Sequence, residues 1–228
     1  MSRKSRLCAG ERPSHPPVYN AAMPRLPLPP RRHLLGALIV LVGVVLAFLA
    51  RDPRAPDLAL KPWAHFVSDT LHTVFLGGGI GALLLTAWRT KNPALAIRTA
   101  AVMGAETALF EIAKLITWFG LHHLYPRPSG TDGGFPSGHT AANVALAWLL
   151  SDRFGARWSP VFYAIAAAVA WSRVGDGAHF AYQVAAGALL GYGVAWAMSG
   201  RFGARSVGEV TEIQDQTQTD QGEPRHAE

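Results

Sequence analysis

Apolar residues gather along the chain into six long runs, separated by short polar or Gly/Pro-rich connections. The runs are Leu34–Ala50, Leu71–Trp88, Ala94–Trp118, Thr140–Leu150, Pro160–Trp171 and Phe180–Met198. A helix that crosses a bilayer needs about 20 residues, with a range of about 17–25. Four of the runs reach that length. Thr140–Leu150 and Pro160–Trp171 are shorter by hydropathy, and the former is extended by its flanking His139 and Ser151. The pattern predicts an all-α protein, a six-helix transmembrane bundle.

Composition strengthens this reading. Half of the 228 residues are hydrophobic and 16% are charged, which is low for a soluble domain. The charges are also segregated. The first 33 residues hold seven Lys/Arg against the single acid Glu11, whereas Ser206–Glu228 holds six acids against Arg225. Three regions follow: a disordered basic Pro/Arg-rich arm (1–32), a membrane domain (33–200) and a polar acidic tail (201–228). Met23 is a second candidate start. Leu34–Ala50 is long for a signal-peptide core and lacks an A-x-A cleavage pattern, so a retained first helix is expected.

The connections set an orientation, because Lys/Arg collect on the cytoplasmic side. Arg25, Arg31 and Arg32 precede the first run; Arg89, Lys91 and Arg98 follow the second; Arg153 and Arg157 follow the fourth; Arg201 and Arg205 follow the last. Both termini are therefore expected in the cytoplasm. The segments around Asp52–Trp63, Leu121–Pro136 and Ser172–His179 lie on the outer face, periplasmic if the membrane is a bacterial inner membrane. The basic arm is read as charge beside anionic lipid, and no nucleic-acid partner is expected. Cys8 is the only cysteine, which rules out an intramolecular disulfide framework. No Cys/His spacing suits zinc, so neither metal nor cofactor is expected.

Two outer segments carry chemistry. In YPRPSGTDGGFPSGHTAAN (Tyr125–Asn143), Pro136 and Gly138 interrupt the chain just before an apolar helix, and Ser137 is placed to cap it. Unpaired N–H groups at such a helix start favour an anion. His139 stands at that mouth, and Arg127 lies twelve residues upstream. The second segment adds Ser172, Arg173 and His179. Ends of successive helices on one face of a bundle converge, which would bring two arginines and two histidines around one small volume. Arginine forks suit tetrahedral oxyanions. One histidine can attack phosphorus while the other protonates the departing oxygen. These groups suffice for metal-free cleavage of a phosphate ester.

The spacing resembles the type 2 phosphatidic acid phosphatase (PAP2) superfamily, which includes the vanadium haloperoxidases. Pro136-Ser137-Gly138-His139 matches its second motif, Ser172-Arg173 followed after five residues by His179 its third, and Arg127-Pro128 with Lys114 upstream its first. The resemblance spans roughly 94–198 and implies a PAP2/haloperoxidase-like core of six helices with these motifs on the outer face. It implies His179 as the nucleophile that forms a phosphohistidine and His139 as the general acid. Arg127, Arg173, Lys114, Ser137 and Gly138 would hold the phosphate oxygens. The implied substrate is a phosphorylated membrane lipid, a phosphate or diphosphate.

Two positions depart from the family pattern. Lys114 lies thirteen residues before Arg127, further than the motif has it, so Glu111 can pair with it instead and His122 or His123 can supply the missing donor. Gln183 stands where an aspartate orients the nucleophile. Four residues on from His179, its amide oxygen is expected to accept the Nδ1 hydrogen, with Asp176 as a substitute. An alternative stays open: a PAP2-like protein that binds a phosphorylated lipid without efficient turnover. Glu106 and Glu111 are functional candidates as intramembrane acids, without an assigned role. His65, Asp69 and His72 share a helical face read as a polar edge, and Gly77–Gly81 reads as close helix packing. The oligomeric state is left open.

Overall fold

The computed structural model describes residues 28–49 and 61–203. Most of the basic arm, including Met23, and the tail beyond Gly203 lie outside the described residues. The elements are α1 (Arg31–Leu49), α2 (Lys61–Phe66), a π-helical turn (Val67–Leu71), α3 (His72–Arg89), α4 (Pro93–Gly120), a 3-10 turn (His122–Leu124), α5 (Gly138–Phe154), α6 (Ser159–Gly175) and α7 (Ala181–Gly203). The described residues contain no strand. Since α2, the π turn and α3 run on without a break, the helices form six rods, one for each apolar run.

Where rod and run differ, polar residues continue the helix. Arg31 and Arg32 already belong to the first turn of α1. The second rod starts well before Leu71, and α5 and α6 extend past their apolar cores to Phe154 and Gly175. Among the described residues one run, the 28-residue Pro62–Arg89, is long and apolar enough to cross a membrane, with a mean hydropathy of 1.5 over its 18-residue apolar stretch.

α5 is the central rod, buried from Ala145 through Ser151 without interruption. Two neighbours approach it or α6 through glycines. α7 lies so close to α5 that a Cβ on Gly191 would stand 2.1 Å from the Ala141 carbonyl oxygen. A Cβ on Gly36 of α1 would meet the Tyr163 ring of α6 at 2.2 Å. The expectation for Gly77–Gly81 holds for one residue. Gly79 packs under Leu146, but Gly77, Gly78 and Gly81 face open space, because only one side of α3 meets α5.

Asp152, at the end of α5, ties one end of the bundle. It accepts from Arg32 at 2.7 Å and meets His33 Nε2 at 2.8 Å and Arg98. His33 is fully buried, stacks on Trp148 at 3.7 Å and meets Tyr163 Oη at 2.9 Å. Arg98 also donates to Ser199 of α7. The starts of α1 and α4 thus meet the ends of α5 and α7, so the rods alternate in direction. The opposite end gathers the starts of α3, α5 and α7 with the ends of α4 and α6.

Candidate active site

The third motif owes its spacing to a helix stop. α6 ends at Gly175, and Gly177 takes a positive φ of 73°. Gly177 N donates to Val174 O and Ala178 N to Arg173 O, the paired bonds of a Schellman cap. His179 N then also donates to Arg173 O at 3.0 Å. The five intervening residues therefore turn the chain back on itself and set His179 beside the arginine that precedes the turn. Arg173 is held from below: its Nη1 donates to Ser68 in the π turn, and Asp69 lies 3.9 Å away. Single-turn π segments recur at functional sites because they re-aim the helix that follows.

The Arg127 loop closes on itself and is clamped to α7. Arg127 N donates to Thr131 O at 2.8 Å, Gly134 N donates to Tyr125 O at 2.7 Å, and Arg127 Nη2 donates to Gly133 O at 3.3 Å. Gly130 and Gly133 supply the positive φ values that this tight return needs. Gln183 provides the clamp. Its Oε1 accepts from Phe180 N at 3.1 Å, the back-reaching half of a capping box on α7. Its Nε2 donates to Leu124 O at 2.9 Å and Pro126 O at 2.8 Å. Gly134 must be bare here, since a Cβ would lie 2.5 Å from that amide nitrogen.

These elements surround a cavity of about 390 Å3. Arg127, Arg173, His139, His179, Lys114 and Gly138 line it, so the structure brings six of the eight expected residues together. The buried Nε atoms of Arg127 and Arg173 have no hydrogen-bond partner among the described residues. A guanidinium only donates, and a buried donor left unmet is costly. Both arginines line the hollow, and guanidinium groups there can donate to the oxygens of a tetrahedral anion.

His179 is 3% exposed and its Nδ1 meets Gly134 O at 2.7 Å. Burial, reinforced by the positive charges of Arg173 and Arg127, pushes its pKa down to about 4. The Gly134 carbonyl and the neighbouring Gln183 amide offset part of that lowering. Of the two, the close geometric hydrogen bond is the one to the carbonyl. The ring is therefore neutral at pH 7.

Residues 105–206 match a family model described as the PAP2 superfamily. This segment belongs to the PAP2 superfamily. It contains every lining residue from Glu106 to His179 and leaves α1, α2 and α3 outside the match. No curated protein and no solved structure matches the chain.

Within the PAP2 segment, two expected residues do not line the cavity. Gln183 is set back from the cavity: its amide caps its own helix and holds the Arg127 loop, while the close hydrogen bond of His179 Nδ1 goes to Gly134 O. Ser137 is fully buried, with its Oγ 3.0 Å from Thr140 Oγ1 and its N–H donated to Gln183 O. It occupies the N-cap of α5, but its side chain makes no cap hydrogen bond. The substitutes also point elsewhere. Asp176 faces His65 at 3.6 Å, and His122 and His123 are exposed outside the lining. Lys114 both lines the cavity and approaches Glu111 at 3.5 Å, with its Nζ 4.2 Å from the Phe110 ring centre.

The structure brings to the cavity His72, which the sequence placed on a polar edge, and Glu106, which it named as a candidate without a role. His72, from outside the PAP2 match, lines the cavity with its ring centre 4.0 Å from that of His139. Asn143 Nδ2 lies 2.6 Å from both His139 O and His72 Nδ1. The carbonyl only accepts, which identifies the nitrogen end of the amide. His72 Nδ1 therefore accepts, and its proton sits on Nε2. Glu106 also lines the cavity, at 2% exposure. The available signal was a histidine and a glutamate inside apolar helices.

Proposed function

We propose that the protein is an integral-membrane phosphatase or phosphotransferase that acts on a lipid phosphate or diphosphate without a metal. PAP2 membership supports phosphatase chemistry at the coarse level. The observation that carries the reading is the convergence of two histidines and two arginines on one cavity. Arg127 and Arg173 bind the phosphoryl oxygens, aided by Lys114 and the α5 start at Gly138. With the proton of His179 held on Nδ1 by Gly134 O, Nε2 keeps its lone pair and attacks phosphorus. The P–N bond forms as the P–O bond to the lipid breaks, and His139, which must first take up a proton as the bound phosphate offsets the positive charge of Arg173, passes that proton to the leaving oxygen. Water, or another acceptor hydroxyl, then attacks phosphorus and releases His179.

A membrane setting is supported by the lipid-sized apolar run Pro62–Arg89 and by the exposed Leu34, Leu38, Leu41 and Leu46 along α1. Such exposed apolar surface needs a cover. We place six spans in a bacterial inner membrane, with the cavity on the outer face and both termini in the cytoplasm, on the Lys/Arg bias of the connections.

The test is phosphate release by the full-length protein in detergent, without added metal, on a panel of lipid phosphates and diphosphates. Release should be blocked by vanadate and should fall to background in His179→Ala. His139→Ala should lower it by about 10²–10⁴-fold, the usual contribution of a general acid. Full activity in His179→Ala would remove the mechanism. A second reading, lipid-phosphate binding without efficient turnover, is favoured by one observation: a neutral carbonyl, not a carboxylate, meets His179 Nδ1. Binding with no release in the wild type would select it.

A further inference from the structure

The cavity extends beyond the phosphate groups along α4, where Lys114, Phe110 and Glu106 recur every four residues and share one face. At 1.5 Å per residue, Glu106 stands about 12 Å along the helix from Lys114. Leu76 of α3 and Ala142 of α5 complete this part of the wall. It is mostly apolar, apart from Glu106 and Thr107. Glu106 Oε1 is buried and has no hydrogen-bond partner among the described residues. Its Oε2 has a long contact of 3.4 Å with Thr107 Oγ1, whose hydroxyl also lies 3.0 Å from Met103 O. Lys114 turns to Glu111, and Arg98 to Asp152.

A buried carboxyl with an unused acceptor is costly to keep unless something supplies a donor. In the phosphatase reading, on which this inference rests, the phosphorus lies between His179 and the arginines. The first atoms of the lipid then run past Leu76 and Phe110 towards Glu106. We propose that Glu106 is a specificity-determining residue that accepts a hydrogen bond from a hydroxyl or ammonium group on the lipid backbone, a few bonds from the phosphate. A carboxyl accepts in either protonation state. A plain alkyl or prenyl chain leaves Oε1 unmet, and a second phosphate brings an anion towards it. The favoured class is therefore a lipid phosphomonoester with a neighbouring hydroxyl or amine, rather than a prenyl diphosphate.

Three synthetic ligands of one chain length test this: an alkyl phosphate, its 2-hydroxy analogue and its 2-amino analogue. Affinity is read from ligand-induced thermal stabilisation of the full-length protein in micelles, and turnover from phosphate release. The wild type should favour both donor ligands over the plain chain by about 10- to 100-fold, as for a hydrogen bond to a charged group. Glu106→Gln preserves the shape and an acceptor, so it should keep the hydroxyl preference and lose much of the amine preference. Glu106→Leu should lose both. Equal affinities in the wild type, or an undiminished preference in Glu106→Leu, would overturn the proposal. Preference without phosphate release upholds the role of Glu106 and overturns the phosphatase reading. Release without preference does the reverse, and no affinity for any ligand overturns both.

Discussion

His179 Nδ1 lies 2.7 Å from the carbonyl oxygen of Gly134. The carbonyl belongs to the loop that carries Arg127, so one hydrogen bond fixes both the tautomer of the ring and its position against the phosphate-binding loop. The consequences reach the pH behaviour of the site and the part played by Gln183.

Burial and the charges of Arg173 and Arg127 lower the His179 pKa from 6.5 to about 4. The free protein should therefore keep this ring neutral down to about pH 4, as read by 15N NMR and assigned by loss of the signal in His179→Ala. Vanadate bound at the arginines should raise the value. The sign for stability follows. The unfolded chain takes up the proton near 6.5 and the folded protein near 4, so the His179 contribution is complete above 6.5 and falls as pH drops from 6.5 to 4. A ring that titrates at 6.5 in the folded state would contradict this.

Gln183→Asp restores the residue type of the family motif, yet it should impair this protein. A carboxylate has no N–H for Leu124 O and Pro126 O, and its shorter chain withdraws from Phe180 N. Losing two hydrogen bonds to part-buried carbonyls should cost about 0.5–1.5 kcal/mol each. KM should rise with the loosened Arg127 loop. Thermal melting and kcat/KM on the preferred lipid phosphate provide the check; higher turnover in Gln183→Asp would sink this account.

Glycines on α7 should divide sharply. A Cβ on Gly187 would fall 2.3 Å from Ser137 O, a backbone atom that cannot retreat without moving the turn before His139. Gly187→Ala should destabilise by about 1–3 kcal/mol and lower activity as well. Gly193 meets nothing within 4 Å, so Gly193→Ala should be neutral or gain up to about 1 kcal/mol from helix propensity. Equal melting temperatures for the two variants would refute the packing argument.

Asp152→Ala should separate stability from chemistry. It strands Arg32 and Arg98 and removes the acid that meets His33, a loss of about 1.5–3 kcal/mol for hydrogen bonds between charged groups in a part-buried cluster. The cluster lies at the end of the bundle remote from the cavity. The melting temperature should fall while KM stays near its wild-type value. A KM change as large as that of Gln183→Asp would show that the two ends are coupled.

The sequence alone determined what depends on near neighbours. Six apolar runs became six helical rods, since helix formation and burial of an apolar face are set within a few turns. Gly177 stopped α6, and the five-residue spacing after Arg173 returned His179 to it, since the cap bonds join residues at most six apart. The tertiary structure decided contacts made across the bundle. Gln183 bonds carbonyls 57 and 59 residues away, His72 meets His139 from another rod, and Asn143 joins the two. Ser137 turned inward because its N–H and hydroxyl found partners beneath the turn. A polar group inside a helix announces that it needs a partner; which partner it finds depends on how closely the rods pack.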